Sequence, residues 1–304
     1  MRTARLALVI VLVLQGVALA APAQKSFASL EDAVNALVTA IRAADRKALV
    51  EILGPQGTPL VWSGDAVADR AAFQRFVTAY DRAHRLAGGG GKVVLYVGSD
   101  DFPFPIPLVP DGPRWLWDTD AGDDEMLNRR IGQNELSVIQ VCLAYVDAQR
   151  EYYSRGTGLL EYAQRLDSTK GKRDGLYWEM KPSEPESPLG PLVGRARAAG
   201  YPLPPRGAPA PYHGYFYRIL TAQGPDAPGG AEDFVVKGHM IGGFALVAYP
   251  AVYGVSGIMT FVVSHDGVVY QKDLGPKTTQ AANALKAYSP DSTWTRAEGG
   301  EGKR

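Results

Sequence analysis

Between Tyr212 and Leu274 the apolar positions fall into short bursts separated by turn residues, as in several strands in succession. Tyr215, Phe216, Tyr217 and Ile219 form an aromatic and β-branched run suited to a half-buried strand. Phe234-Val235-Val236 is a shorter run. Phe244 to Tyr249 is a third, ended by Pro250, which has no amide proton for a ladder. Ile258 to Val263 and Val268 to Tyr270 flank Ser264-His265-Asp266-Gly267, where Asp-Gly marks a hairpin because glycine accepts positive φ. Gaps this short favour antiparallel neighbours, since a parallel return needs a crossover of about a dozen residues. Such a sheet has to cover one face, and the stretch upstream supplies the cover. From Asp123 to Tyr153, Leu127, Ile131, Leu136, Ile139, Cys142, Leu143 and Val146 recur at helical spacing and predict one long amphipathic helix.

Nearer the N-terminus the pattern is helical first. Ser29 stands at an N-cap position with Asp32 three residues on. Ala33, Val34, Leu37, Val38 and Ile41 follow at helical spacing to about Ala43. A short helix over Lys47 to Leu53 is stopped by Gly54-Pro55. A third spans Asp69 to Leu86, with Phe73, Phe76, Val77 and Tyr80 on one side, and Gly88 to Gly91 reads as a flexible turn. Lys92 to Gly98 reads as a strand. From Phe102 to Val109, Phe102, Phe104, Ile106 and Leu108 alternate with Pro103, Pro105 and Pro107, which predicts an edge strand whose outward positions need no partner. Arg114 to Asp118 closes this small sheet, with Trp115 and Trp117 pointing the same way. Proline-rich stretches at Pro182 to Pro191 and Pro202 to Pro211 bracket a short helix at Leu192 to Ala199 and read as an excursion over the surface.

The expected fold class is therefore α+β in two parts. Residues 26–120 form helices with a small antiparallel sheet, and residues 121–288 a long helix packed on a second antiparallel sheet. Residues 289–304 are a polar tail expected to be disordered. At the other end, Arg2 and Arg5, the apolar run Leu6 to Leu14 and Ala18-Leu19-Ala20 make a Sec-type secretory signal peptide over residues 1–20, cleaved near Ala20. The expected location is periplasmic or secreted, with no membrane span after signal cleavage.

Composition removes several function classes. Lys+Arg 32 balances Asp+Glu 32, so the electrostatic footprint of a nucleic-acid binder is missing. One cysteine allows neither an intramolecular disulfide nor a cysteine zinc site. No H-E-x-x-H, G-x-S-x-G, Walker loop or helix-opening G-x-G-x-x-G occurs, so no cofactor, metal or nucleophile is implied. The acidic cluster Asp118, Asp120, Asp123, Asp124 and Glu125 starts like a calcium loop, but the twelfth position is Arg129; the last three residues read instead as a first helical turn. Cys142 lies among apolar neighbours and reads as an inert buried thiol.

Two groups remain as candidate binding residues. Tyr212, His213 and Tyr215 place a histidine among aromatics, against which stands the reading of a strand-edge histidine. Lys172, Arg173 and Asp174 lie between glycines ahead of Tyr177 and Trp178, either as an anion or peptide contact or as a charged surface turn. A pocket in the N-terminal part would be lined by Asp100, Asp101, Trp115 and Trp117, with the aspartates as bases.

The helix–helix–strand order ending in Arg114-Trp115-Leu116-Trp117-Asp118 resembles the cone of nuclear-transport-factor-2-like and ketosteroid-isomerase-like domains over roughly residues 26–120. More specific are NELSVIQVCLAYVDAQREYY, LEYAQRL, GKRDGLYW, SPLGPLV, PYHGYFYRILTAQG, GGFALVAYP and YGVSGIMTFVVSHDGVVYQKDLG. Together they resemble the bacterial exported family known as domain of unknown function 2950, which implies an envelope location and no activity. The helix-then-sheet order also resembles the globular half of pseudopilins and pilins. These readings point to a non-catalytic binding or assembly module of the cell envelope, with envelope protein partners. The alternatives are a pocket-based enzyme of hydrolase or isomerase type, or a periplasmic small-ligand carrier, either of them using the cone.

Overall fold

The structure, a computed structural model, describes residues 24–89, 91–156, 158–180, 183–202 and 210–301. The signal segment expected at residues 1–20 lies outside them, as do parts of both proline-rich stretches.

The N-terminal helices begin where capping side chains meet free amides. Ser29 accepts from the Asp32 amide to start α1 (Leu30–Ala43), and Asp45 accepts from Ala48 to start α2 (Arg46–Leu53). After the short α3 (Thr58–Val61), Asp65 accepts from the amides of Val67 and Ala68 and opens α4 (Ala66–Arg82) three residues earlier than Asp69. The helix also ends sooner than its periodicity suggests, because His84 to Gly89 is drawn into β1 (His84–Gly89) by six paired positions along β2 (Lys92–Val97). The glycines of that strand pair with Lys92 and Val93 rather than forming a free turn.

The proline segment is corrected in the same way. It is not one edge strand but two pieces, β3 (Phe102–Pro103) and β4 (Leu108–Asp111), both running along β2. β4 also pairs with β5 (Arg114–Trp117), so this half of the segment sits inside the sheet instead of at its border, while β3 pairs with β2 alone. Pro105 and Pro107, which have no amide to donate, fall in the gap between the pieces. Phe104, Ile106 and Leu108 are buried as the alternation predicts, whereas Phe102 is 47% exposed. Trp117 is fully buried, set edge-to-face on Phe104 at 5.6 Å and packed with Leu37, Leu49, Leu95 and Ile106.

The second part is built on α5 (Asp123–Ser154), whose first turn carries Asp123, Asp124 and Glu125 against the positive end of the helix dipole. A short helix, α6 (Gly190–Ala198), stands in the surface excursion that follows. The sheet has the order β14-β13-β12-β11-β6, antiparallel throughout: β6 (Tyr215–Leu220), β11 (Ala245–Pro250), β12 (Met259–Ser264), β13 (Val268–Asp273) and β14 (Thr295–Glu301). Gly267 takes φ +76° in the turn before β13, as the Asp-Gly signal requires. Two-residue strands fill the connections: β7 (Ala222–Gln223) with β8 (Glu232–Asp233), and β9 (Val235–Val236) with β10 (His239–Met240). The Phe234-Val235-Val236 run therefore feeds a separate ribbon, not the main sheet. The tail expected to be disordered from Ser289 instead supplies β14 and buries Ala297.

α5 lies across β11, β12, β13 and β14, as the pattern predicted. Tyr145 donates its hydroxyl to the Ala245 carbonyl at 3.2 Å, and its ring meets Phe244 edge-to-face. Glu135 accepts from the amides of Ile258 and Met259, both at 2.9 Å. The opposite face is covered too. There Arg218 donates to the carbonyls of Ala282 and Leu285, at the end of α7 (Thr278–Ala284), and Tyr249 reaches Asn283. With cover on both sides, every residue of β11 is buried.

Candidate functional site

α4 is amphipathic, yet of its 17 residues only Asp69 is buried. Ala68, Ala72, Phe73, Phe76 and Ala79 form one side of a groove of about 410 Å³, open to solvent. Val97, Phe104 and Pro105 contribute the sheet side, and Met126, Arg129, Arg130 and Gln133 come from the first turns of α5. The floor is aromatic, with Phe76 against Phe104 at 5.4 Å. Phe102 stands at the mouth beneath the Arg129 guanidinium, 4.7 Å from the ring centroid.

The polar groups are unevenly placed. Asp69 is held at the inner end by the Ser63 hydroxyl at 2.6 Å and by Arg46 at 3.3 Å. Arg130 donates to the carbonyls of Pro59 (2.7 Å) and Leu60 (2.6 Å). Burial pulls its pKa down from the ordinary guanidinium value, and the nearby Asp69 carboxylate opposes that pull. It stays a cation, but one stripped of much of its water and satisfied by neutral carbonyls. Arg129 pairs with Glu125, one turn back. Arg75 has no acidic partner among the described residues and rims the groove. Three guanidinium groups thus border an apolar trough whose one buried carboxylate is already engaged.

None of the four residues expected to line a pocket lines this groove. Asp100 and Asp101 lie exposed on the turn after β2. Asp101 is paired with Arg85 at 2.9 Å, and that hydrogen bond holds its carboxyl below the ordinary range. Trp117 belongs to the core, and Trp115 exchanges backbone hydrogen bonds with Phe27.

Tyr212 and His213 lie where the two halves join. The buried Asp65, besides capping α4, accepts from the Tyr201 hydroxyl (2.9 Å) and the Gly214 amide (3.0 Å). His213 has φ +51°, packs against Tyr212 and donates its backbone amide to the Tyr201 oxygen. Burial lowers its pKa and Asp65 opposes the shift, which leaves the ring neutral at neutral pH. Tyr215 belongs to the sheet core, its hydroxyl donating to the Met259 carbonyl.

In the third group Asp174 closes a turn by accepting from the amide and hydroxyl of Thr169, and Lys172 is exposed. Arg173 pairs with Glu184 and lies over the Trp178 ring. Cys142 is fully buried, and burial pushes its thiol up to about 12.

The family model for proteins of unknown function DUF2950 matches residues 24–297. The chain belongs to the DUF2950 family. No curated protein and no solved structure matches this DUF2950 chain. The resemblance to transport-factor cones and to pilins expected from element order is therefore not supported by any matching solved structure. Among the described residues no helix is long and apolar enough to cross a membrane, and no group of three acidic, histidine or cysteine side chains is arranged to hold a metal.

The residues that sequence reasoning missed are Asp65, Arg75, Arg129, Arg130 and Glu135. Phe73 and Phe76 carried a signal, the apolar side of α4. The arginines carried none, since nothing along the chain distinguishes them from ordinary surface charges.

Proposed function

We propose that this DUF2950 protein is an exported, non-catalytic binding module of the cell envelope, and that the groove between α4 and α5 carries a small amphipathic anion. The observation behind the reading is a long helix whose apolar side is left half-covered beneath a rim of guanidinium groups. A ligand with a hydrocarbon or aromatic body would complete the burial of Phe73, Phe76 and Phe104. Its carboxylate or sulfonate would take the forked donors of Arg75 and Arg129, with the positive charge of the carbonyl-bound Arg130 beside it. Carriage rather than catalysis is supported by the state of the carboxylates. Asp69 is committed to Ser63 and Arg46, and Asp100 and Asp101 stand outside the groove.

The test is fluorescence titration of the mature chain with 1-anilinonaphthalene-8-sulfonate, followed by competition. Dodecanoate is expected to displace the dye and dodecanol to do so at least about tenfold less well, because a charge-assisted hydrogen bond is worth about 1.5–3 kcal/mol. Equal displacement by acid and alcohol, or unchanged affinity in Arg129→Glu, would refute the assignment.

A further inference from the structure

A second cleft, of about 480 Å³, opens at the C-terminal end of α5, far along the chain from the residues of the groove. Tyr152 and Arg155 come from the helix end, Leu159 and Glu161 from the chain just after it, and Arg173 and Trp178 from the excursion. It therefore takes in one residue of the charged Lys172-Arg173-Asp174 turn that the groove leaves unused.

The charges in it are pre-positioned by partners. Arg155 is tied to Glu151 and to the Glu186 carbonyl, and Arg173 to Glu184 at 3.0 Å. The Tyr152 hydroxyl donates to the Arg173 carbonyl at 3.0 Å and fixes that turn against the helix. Glu161 is oriented by His239 Nδ1 at 2.9 Å. The Trp178 ring carries the Arg173 guanidinium on its face, and its indole N–H, although buried, has no acceptor among the described residues. Beside these polar groups lies bare apolar surface: Leu159 is 57% exposed.

Two cations, one anion and an aromatic wall within one small cleft call for a ligand with both signs of charge and an apolar middle. We infer that this cleft binds a short peptide with free ends. Its carboxylate lies on the guanidinium groups of Arg155 and Arg173. Its ammonium lies against Glu161, where the partial negative charge of the α5 C-terminus also favours a cation. Its central side chain rests on Trp178 and Leu159. The volume lies in the range of small-ligand pockets. The inference is independent of the groove reading, because the two sites share no lining residue.

Isothermal titration calorimetry with the tripeptide Ala-Phe-Ala tests it on the mature chain. Binding is expected with the free peptide and about tenfold or greater weakening with either the N-acetylated or the C-amidated form. In Arg173→Ala the free and amidated peptides should bind alike. In Glu161→Gln the free and acetylated peptides should bind alike. Arg75→Glu should bind the free peptide as the parent does. Thermal unfolding of each variant verifies that it is folded. The inference is overturned if the free peptide gives no heat at millimolar concentration, if the blocked peptides bind as well as the free one, or if Arg75→Glu abolishes binding.

Discussion

In the C-terminal half, β11 is buried at all six positions, walled by α5 on one face and α7 on the other. In the N-terminal half, α4 runs for 17 residues and only Asp69 of them is buried. Both elements are amphipathic or apolar in sequence, so the difference lies in what reaches them. The sheet half receives a rod on one side and the returning chain on the other. The helical half has its own core around Trp117, where α4 meets α1, β1 and β2, but the first turns of α5 face α4 only across the open groove. A half closed on both faces serves as frame, and a half left open along one helix has surface to offer a ligand. Substitutions should accordingly separate into those that lower stability and those that lower binding.

The largest effect is expected at the junction. Asp65→Ala removes the acceptor of two α4 amides, the Tyr201 hydroxyl and the Gly214 amide, and should cost about 4 kcal/mol. It should also split a single denaturant transition into two, one for each half. A single transition at the parental midpoint would show that the halves are coupled elsewhere. Next comes Gly257→Ala, whose added Cβ would stand 1.9 Å from the Tyr215 hydroxyl oxygen inside the sheet core. About 3 kcal/mol of destabilisation should appear in urea unfolding. Glu135→Ala, which strands the amides of Ile258 and Met259, should cost about 2 kcal/mol by the same measurement. Arg75→Glu and Arg129→Glu should change stability by less than about 0.5 kcal/mol while weakening anion binding about tenfold. Loss of fold in either would remove the contrast between frame and open surface.

The smallest effect concerns pH. His213 has its folded pKa below the ordinary value of 6.5, because burial outweighs Asp65. As the pH falls below about 6.5 the unfolded chain takes up this proton before the folded one, so stability should decline toward the lowered folded value and then level off. His213→Gln should flatten that part of the stability profile. An unchanged slope would place the pH dependence on other groups.

How much of this was legible in the sequence follows the same division. The rod and its sheet could be read because two independent periodicities, near 3.6 and near 2, run through Leu127 to Val146 and Tyr215 to Tyr270, and Asp266-Gly267 marks the turn. β1 and β14 could not. His84 to Gly89 and Thr295 to Glu301 are polar or glycine-rich and become strands only because a neighbouring edge is open to pair with them. The proline segment was half legible. Its alternation identified the buried Phe104, Ile106 and Leu108, and Arg114 to Asp118 was expected to close the sheet, but no local rule said that β4 would lie between β2 and that closing strand instead of at the edge. The groove was the least legible part. It needs Arg75 on one helix and Arg129 and Arg130 on another, separated by the whole small sheet in sequence and brought together only by the fold.

The most direct test of the groove as a ligand site is a crystal structure of residues 24–301 grown with dodecanoate. The account predicts density for the acyl chain along Phe73, Phe76 and Phe104, with the carboxylate among Arg75, Arg129 and Arg130. A groove filled by rearranged side chains of α4, with the acid elsewhere or missing, would contradict it.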